Sequence, residues 1–438
     1  MSTPGYSAAE LRALVHEEKI HRRAYLDPQL FELEMERIFK RAWIYVGHES
    51  QVAKPGDFFT TRIARMPVVM SRHTDGKVYV LYNRCGHRGA LVVQEAQGNC
   101  KRFQCMYHGW TYETNGDLKA ITFPEGFGPE VLDKCDPQYG MVRLAGVDTY
   151  RGFVFAKQVR SGPSLLEWLG DARAAIDEVV DRSPLGEVEI SAGCHRYIYR
   201  GNWKLQADNL GDQTHAPFSH VSSLGSDGYQ FRRRSGTSGT RIKIVDERGN
   251  IAMRSQGLWS YPGGHASTGS HGMDGEQRGG AFEEYHRVMV AAYGAERAAE
   301  ILRHKRHTAY FYPSVDFHVL ANAVRVIHPL TVDKTEVTIW PIKLKGAPDE
   351  IFHEALRFVN LSHAAASLGQ TDDVEAFERS QRAFETSGAE WVNFVGGIGQ
   401  DAPSAERGGI HGPPCSELGV RGMHRAWLDY MTNAEEQG

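Results

Sequence analysis

Four side chains able to hold a metal fall within one short stretch, CGHRGALVVQEAQGNCKRFQCMYHGW, running from Cys85 to Trp110. Cys85 and His87 form a Cys-x-His pair. After seventeen residues, Cys105 and His108 form a Cys-x2-His pair. Each pair sits among turn-forming residues, and β-like sequence flanks both. Two such loops facing each other would bring two thiolates and two imidazoles to one point. A lone Cys-x-His pair would carry little; the matched pair restricts this part of the chain to a fold that presents two loops side by side.

Cysteine usage supports a metal over disulfides. The chain has 438 residues and six cysteines, and three of the six lie within this segment or at its edge. That is too few for a disulfide scaffold, and clustered cysteines in a reducing compartment point to metal or catalysis. Cys100, five residues before Cys105, reads as a small buried side chain and not as a ligand. Hydrophobic residues make up 41% and charged residues 24%, with a formal net charge of −4. This is an ordinary globular balance, with no sign of a nucleic-acid or polyanion binder. No apolar run approaches the roughly 18 residues that span a bilayer. The N-terminal segment has no apolar signal-like core, so a cytoplasmic location is expected.

The patterning suggests two domains in an α+β arrangement. Residues from about 8 to 41 read as helical, with Asp27-Pro28 as a helix start. From about 41 to 158, short β-like runs (FFTTRI, PVVMSR, KVYVLYN, RGFVFAK) alternate with Gly, Pro, Asn and Asp, as in a small antiparallel β domain. Residues 1–40 and 159–438 then form a larger α+β domain. In it, SLLEWLGDARAAIDEVVD reads as an amphipathic helix, followed by interleaved strands and a helical region from near Asp349. The Gly- and Ser-rich stretch 261–280 reads as a mobile loop, a candidate lid.

Two thiolates and two imidazoles suit zinc, and equally an iron–sulfur cluster in which two His replace two Cys on one iron. Three features favour the cluster. Each loop mixes Cys with His. Gly86, Gly89 and Gly109 follow ligands closely and leave backbone N–H groups free for sulfur. Tyr107 and Trp110 can shield the site. The segment resembles the Rieske [2Fe–2S] signature, with Cys85, His87, Cys105 and His108 as ligands.

A second constellation lies in GNWKLQADNLGDQTHAPFSH, from Gly201 to His220. Asp212 and His215 are three apart and would share a helix face; His220 lies five further on. Two His and one carboxylate with open positions form the facial triad of non-haem Fe(II) oxygenases. With 20 histidines in the chain, such a pair alone is more often an ordinary surface or core feature. The combination is more telling. Asn202-Trp203-Lys204, Asp208-Asn209 and Asp-x2-His-x4-His follow a Rieske-like segment, and SELGVRGMHRAW lies near the end of the sequence. Over nearly its whole length it resembles the α subunits of Rieske aromatic-ring-hydroxylating oxygenases.

That resemblance implies a β Rieske domain and a catalytic domain with a central antiparallel sheet, helix-grip-like. It implies iron ligands His215, His220 and a late Asp from LGQTDDVEAFERSQRAF. Asp373 is the choice and Asp372 the rival; the same residues also suit a helix N-terminus. It implies that Asp212 bridges the centres, taking a hydrogen bond from His108 of a neighbouring subunit and one from His215. Asn209 is placed with Asp212 in the catalytic set. The implied cofactors are the [2Fe–2S] cluster and Fe(II), with O2 as co-substrate. Electrons would come from NAD(P)H through a reductase, with or without a ferredoxin, into an α3 or α3β3 oligomer. The segment AASLGQTDDVEAFERSQ resembles the benzoate- and salicylate-type branch, pointing to an aromatic acid as the small-molecule substrate. Asn209, Leu210, Ala216, Phe218, Phe311, Phe317 and Asn322 are expected at its pocket. Arg232–Arg234 would either steer a carboxylate, dock a ferredoxin or form a solvated face. The chain departs from the family pattern at Gln206-Ala207-Asp208 and Gln213-Thr214. Competing readings are a Rieske monooxygenase or O-demethylase, a Rieske electron carrier, and a zinc-stabilised binding protein.

Overall fold

A computed structural model describes residues 6–128, 133–190, 193–220, 256–270, 280–303 and 305–433. Two compact units emerge. One comprises Phe39–Leu165 with Glu189–Ser191; the other comprises Met1–Ile38, Leu166–Val188 and Ala192–Gly438.

The smaller unit is built from short antiparallel strands, as the Gly- and Asn-punctuated β runs predict. One sheet orders Val78–Tyr82, Met66–Arg72, Asp57–Ile63 and Gln97–Asn99. A second orders Leu118–Ala120, Thr111–Glu113 and Arg102–Gln104. A third orders Gly146–Tyr150, Phe153–Lys157 and Ile44–His48. Phe58, Val69, Leu81, Phe103 and Tyr112 pack into one core, and both Cys85 and Cys105 belong to it. The two Cys/His loops thus grow directly from the packed interior. One follows strand Val78–Tyr82; the other closes the hairpin between Arg102–Gln104 and Thr111–Glu113.

The larger unit holds a nine-stranded antiparallel sheet. Its order is His195–Tyr199, Lys334–Pro341, Ala323–Thr331, Val315–His318, Lys305–Phe311, Ala266–Ser270, Gln256–Ser260, Ile410–Gly412 and Ala402–Pro403. The middle strands form a meander, so their register follows from tight local connections. Here the expected loop at 261–280 is corrected: Ala266–Ser270 is an interior strand. Ser267 and Thr268 in it are buried but bonded. Thr268 meets Thr308 at 2.8 Å, and the Arg306 Nη1 donates to Ser267 at 3.2 Å. Composition read as flexible is a strand whose polar groups find partners inside. The lid reading beyond Ser270 falls mostly on residues outside those described, as does the Arg232–Arg234 run. Among the described residues, no helix is long and apolar enough to cross a membrane.

Three chain segments meet on a buried carboxylate. Asp27 caps the helix Pro28–Glu34, accepting from the Gln29 N–H at 2.8 Å. That helix ends at Glu34, which is fully buried. Glu34 accepts from Lys204 Nζ at 2.5 Å, from the Trp203 indole at 2.8 Å and from the Trp427 indole at 2.7 Å. The first turn of helix Trp203–Leu210 is thereby tied to the N-terminal helix and to the C-terminal helix Leu418–Thr432. Breaking a buried pair from one side leaves a stranded charge, at a cost of roughly 3–5 kcal/mol. Glu34→Ala should therefore lower the unfolding free energy by about that amount in denaturant titration, with Glu34→Gln intermediate.

Candidate metal centres

The two loops of the small unit have the same backbone wiring. The Cys85 N–H donates to the Ala90 carbonyl at 2.8 Å and the Gly89 N–H to the Cys85 carbonyl at 3.0 Å. In the second loop Cys105 bonds Trp110 at 2.8 Å, and Gly109 bonds Cys105 at 3.0 Å. In both, a glycine four residues after the cysteine takes a left-handed conformation, with φ of 75° at Gly89 and 69° at Gly109. A side chain there is strained. At Gly109 a Cβ would also sit 2.4 Å from the Thr122 hydroxyl.

This duplicated turn brings the four predicted residues together. Cys85 and Cys105 are 3% and 2% exposed, and their thiols interact. The His87 and His108 rings lie 4.6 Å apart. Trp110 stacks flat on His87 at 4.8 Å, and the half-exposed Tyr107 lies against His108 at 3.8 Å. Burial pushes the Cys85 thiol up, and burial with His108 and Arg88 pushes His87 down. The Tyr112 hydroxyl, missed in the sequence reading, lies 2.9 Å from the Cys85 sulfur. It also accepts the Gly86 N–H at 3.1 Å, which leaves its own hydrogen for the sulfur. A Tyr seven residues after the second Cys carries no local signal of this; only packing shows it. Buried thiols kept from water, two imidazoles side by side and a His87 Nδ1 that is buried without a hydrogen-bond partner form a donor set that fits a Cys2His2 cluster.

In the larger unit the expected helix face for Asp212 and His215 does not form. Helix Trp203–Leu210 stops at Gly211, which packs against Gly419 and Met423 too closely for a side chain. Asp212 instead folds over the following turn. Its carboxylate accepts from the Thr214 N–H at 2.6 Å, the Thr214 hydroxyl at 2.7 Å and the His215 N–H at 3.2 Å. It still reaches His215 Nδ1 at 3.1 Å. Burial opposes the charge on Asp212, but His215 and Thr214 outweigh it and hold its carboxyl below the usual range. The short helix Ala216–Ser219 then delivers His220.

Each imidazole is held by a carboxylate on its Nδ1. Asp212 holds His215, and Asp372 Oδ2 lies 3.4 Å from His220 Nδ1. A proton on Nδ1 leaves the Nε2 lone pair available, which is how an outer carboxylate sets a ligand's tautomer. Both Nε2 atoms face Asp373 Oδ1, at 3.8 Å from His215 and 3.2 Å from His220. One donor atom from each of His215, His220 and Asp373 lies within 4.8 Å of the others. Asp373 is 8% exposed and comes from the first turn of helix Gln370–Ala383. The rival Asp372 therefore sits on the Nδ1 side of His220, while Asp373 faces both Nε2 atoms. Asn209 Nδ2 donates to Asp373 Oδ1 at 3.2 Å and lies 3.1 Å from His215 Nε2. Two imidazoles and one carboxylate converging from one side fit a facial-triad iron.

The expected lining is divided. Phe218 is 72% exposed, and Phe311 and Phe317 are fully buried. Phe311 packs on His265 and Trp168 at 5.4 and 6.3 Å, so it serves as core.

Family models match both units. The Rieske [2Fe-2S] domain matches residues 42–132, and the ring hydroxylating alpha subunit (catalytic domain) matches residues 167–433. The chain belongs to the ring-hydroxylating α-subunit family. The large subunit of anthranilate 1,2-dioxygenase from Acinetobacter baylyi is 33% identical, over 87% of this chain and 81% of the relative. The large subunit of 2-halobenzoate 1,2-dioxygenase from Burkholderia cepacia is 32% identical, over 86% and 80%. A crystal structure of a naphthalene 1,2-dioxygenase mutant bound to phenanthrene superposes with a TM-score of 0.81 at 25% identity, covering 96% of this chain and 94% of that one. The chain is thus the terminal oxygenase component of an aromatic-ring-hydroxylating system, an oxidoreductase carrying a Rieske cluster and mononuclear iron. A match across the catalytic domain sets aside the electron-carrier and zinc-scaffold readings. The relatives' designations as large or alpha subunits mark them as parts of multi-subunit systems.

Two outcomes test the site. Asp373→Ala should lose the mononuclear iron and keep the cluster, read as iron per chain falling from three to two. Asp372→Asn should keep three. Gly109→Ala should bleach the visible cluster absorption.

Proposed function

We propose that this α subunit oxygenates the ring of an aromatic carboxylic acid, with Cys85, His87, Cys105 and His108 holding the cluster and His215, His220 and Asp373 holding the iron. The observation that carries the assignment of the iron is the convergence of three donor atoms within 4.8 Å, with an outer carboxylate behind each imidazole. The substrate class rests on the halobenzoate, toluate and anthranilate dioxygenases, which are 31–33% identical over most of this chain. When bound, the cluster relays single electrons and the iron activates O2 for insertion into the ring.

The chain's own residues set the conditions. Asp212 orients His215 through Nδ1 and stays ionised, so a spare lone pair on it suits a second imidazole donor. His108 of a neighbouring copy is the partner that fits, which calls for a ring-like α3 or α3β3 assembly, fed from NAD(P)H by a reductase with or without a ferredoxin. Asn209 acts as a positioning residue: its amide fixes the Asp373 oxygen. At His220 burial disfavours the charged ring, but Asp373 and Asp372 outweigh it and raise its proton affinity. Metal binding requires the neutral ring, so protons compete.

Three results are expected. With an aromatic acid and labelled O2, product should carry two labelled atoms; a single labelled atom would favour the monooxygenase reading. Asp212→Asn should retain three iron atoms per chain, while turnover falls about 10- to 100-fold, as outer-shell losses commonly do. Mononuclear iron should be shed reversibly on acidification through and above the usual histidine range, followed by iron content against pH.

A further inference from the structure

The face of the nine-stranded sheet beneath the iron site carries a buried polar cluster with no role in holding metal. Strand register puts Asp316 beside Arg325, and Arg325 beside Ile339. Tyr197 pairs with Val337, two residues along, so Tyr197 and Arg325 share this face. His318 shares it too, two residues beyond Asp316. A register shift opposite Thr268 and Gly269 leaves His307 as an extra residue in its strand. Such a bulge re-aims a side chain, and the His307 ring lies 4.6 Å from that of His318. His363, at the end of helix Asp349–Ser362, brings its ring to 4.8 Å from His318.

This cluster adjoins the iron site. The Tyr197 hydroxyl donates to Gln206 Oε1 at 3.2 Å, and the Gln206 amide lies 3.5 Å from Asn209 Oδ1. Asn209 in turn bonds Asp373. Arg325 and Asp373 both act electrostatically on Tyr197. Gln370 sits one turn before Asp373 on the same helix face, is 1% exposed, and has neither end of its amide hydrogen-bonded.

The hydrogen bonds decide which groups donate. A guanidinium has no acceptor, so where Arg325 Nη2 meets His363 Nδ1 at 3.0 Å the imidazole must accept. Its proton is then on Nε2. His318 Nδ1 accepts from the Ala321 N–H at 3.2 Å, which likewise puts its proton on Nε2. Arg325 is 5% exposed, and its Nε is buried without a partner. The cluster therefore holds several donors and one fixed positive charge. Asp316 does not use them up: its oxygens take no hydrogen bond from the guanidinium. Burial, opposed by Arg325, also lifts its carboxyl to about 7. His318 stays neutral, because burial and then His307, His363 and Arg325 push it well down.

We infer that Arg325, His318 and His363 form the anion subsite that takes the carboxylate of the aromatic substrate and so orients the ring toward the iron. The inference rests on the aromatic-acid reading above and assigns residues to it. With a neutral arene the buried Arg325 charge has only Asp316, its carboxyl pushed up to about 7, as a partial match; a planar carboxylate matches the guanidinium in charge and geometry.

Equilibrium binding to the iron-loaded enzyme with benzoate and benzamide tests this. The wild-type protein should bind benzoate at least tenfold more tightly than benzamide. Arg325→Gln should weaken benzoate at least tenfold and change benzamide less than twofold, with three iron atoms per chain retained. Arg325→Lys should recover part of the loss. If Arg325→Gln does not fold, His363→Phe reads the same discrimination, because it keeps a ring and removes the donor. Unchanged benzoate affinity in the variants, or equal affinity of the wild type for both ligands, would overturn the subsite. The oxygenase reading fails differently: mononuclear iron would be lacking, and no aromatic compound would stimulate O2 uptake.

Discussion

The catalytic unit depends on one buried carboxylate. Glu34 gathers Lys204, Trp203 and Trp427 from segments far apart in sequence. Burial pushes the Lys204 ammonium down, and Glu34 offsets that only in part. An ion pair this deep is weak evidence of net stability, because desolvation offsets much of the attraction. Its value is geometric. It fixes the start of helix Trp203–Leu210, and everything that follows, from Asn209 to His220, hangs on where that helix ends. A second tie acts at the far end, where Asp208 meets the Tyr25 hydroxyl at 2.7 Å and His424 at 2.9 Å. The helix is clamped at both ends by the N- and C-terminal segments.

Both proposed metal centres use the same principle: a candidate ligand is presented by a short, over-determined turn and oriented by a group behind it. At the cluster, duplicated turns closed by Gly89 and Gly109 present the pairs, and Tyr112 supports a sulfur. At the iron, Asp212 and Asp372 stand behind the imidazoles, and Asn209 behind Asp373. Such outer contacts set tautomer and direction, which a ligand list alone leaves open.

The difference between Asp372 and Asp373 shows how sequence and structure divide the work. Adjacent residues at a helix start point in different directions, about 100° apart around the axis. One of the pair had to face inward, and only the orientation of helix Gln370–Ala383 chooses which. The chosen residue, Asp373, meets both Nε2 atoms, while the other takes the outer role on His220. The placing of Phe311 and Phe317 turns on a similar point. Phe311 and Phe317 alternate onto the opposite sheet face from Asp316 and Arg325, and a strand's face is fixed by register and not by residue type.

The sequence alone determined the chemistry. Cys85, His87, Cys105 and His108 at their spacing have few roles other than metal binding, and Asp212, His215 and His220 became telling only in combination with them. It also determined the β-rich and α+β character of the two parts, because periodicity and turn residues are local properties. Tertiary structure decided what depends on direction. It ended the helix at Gly211 so that Asp212 caps a turn. It made Ala266–Ser270 an interior strand by supplying partners for buried hydroxyls. It gathered His307, His318, His363 and Arg325 on one face. None of these has a local signal, because each depends on where a distant segment lies once the core has packed.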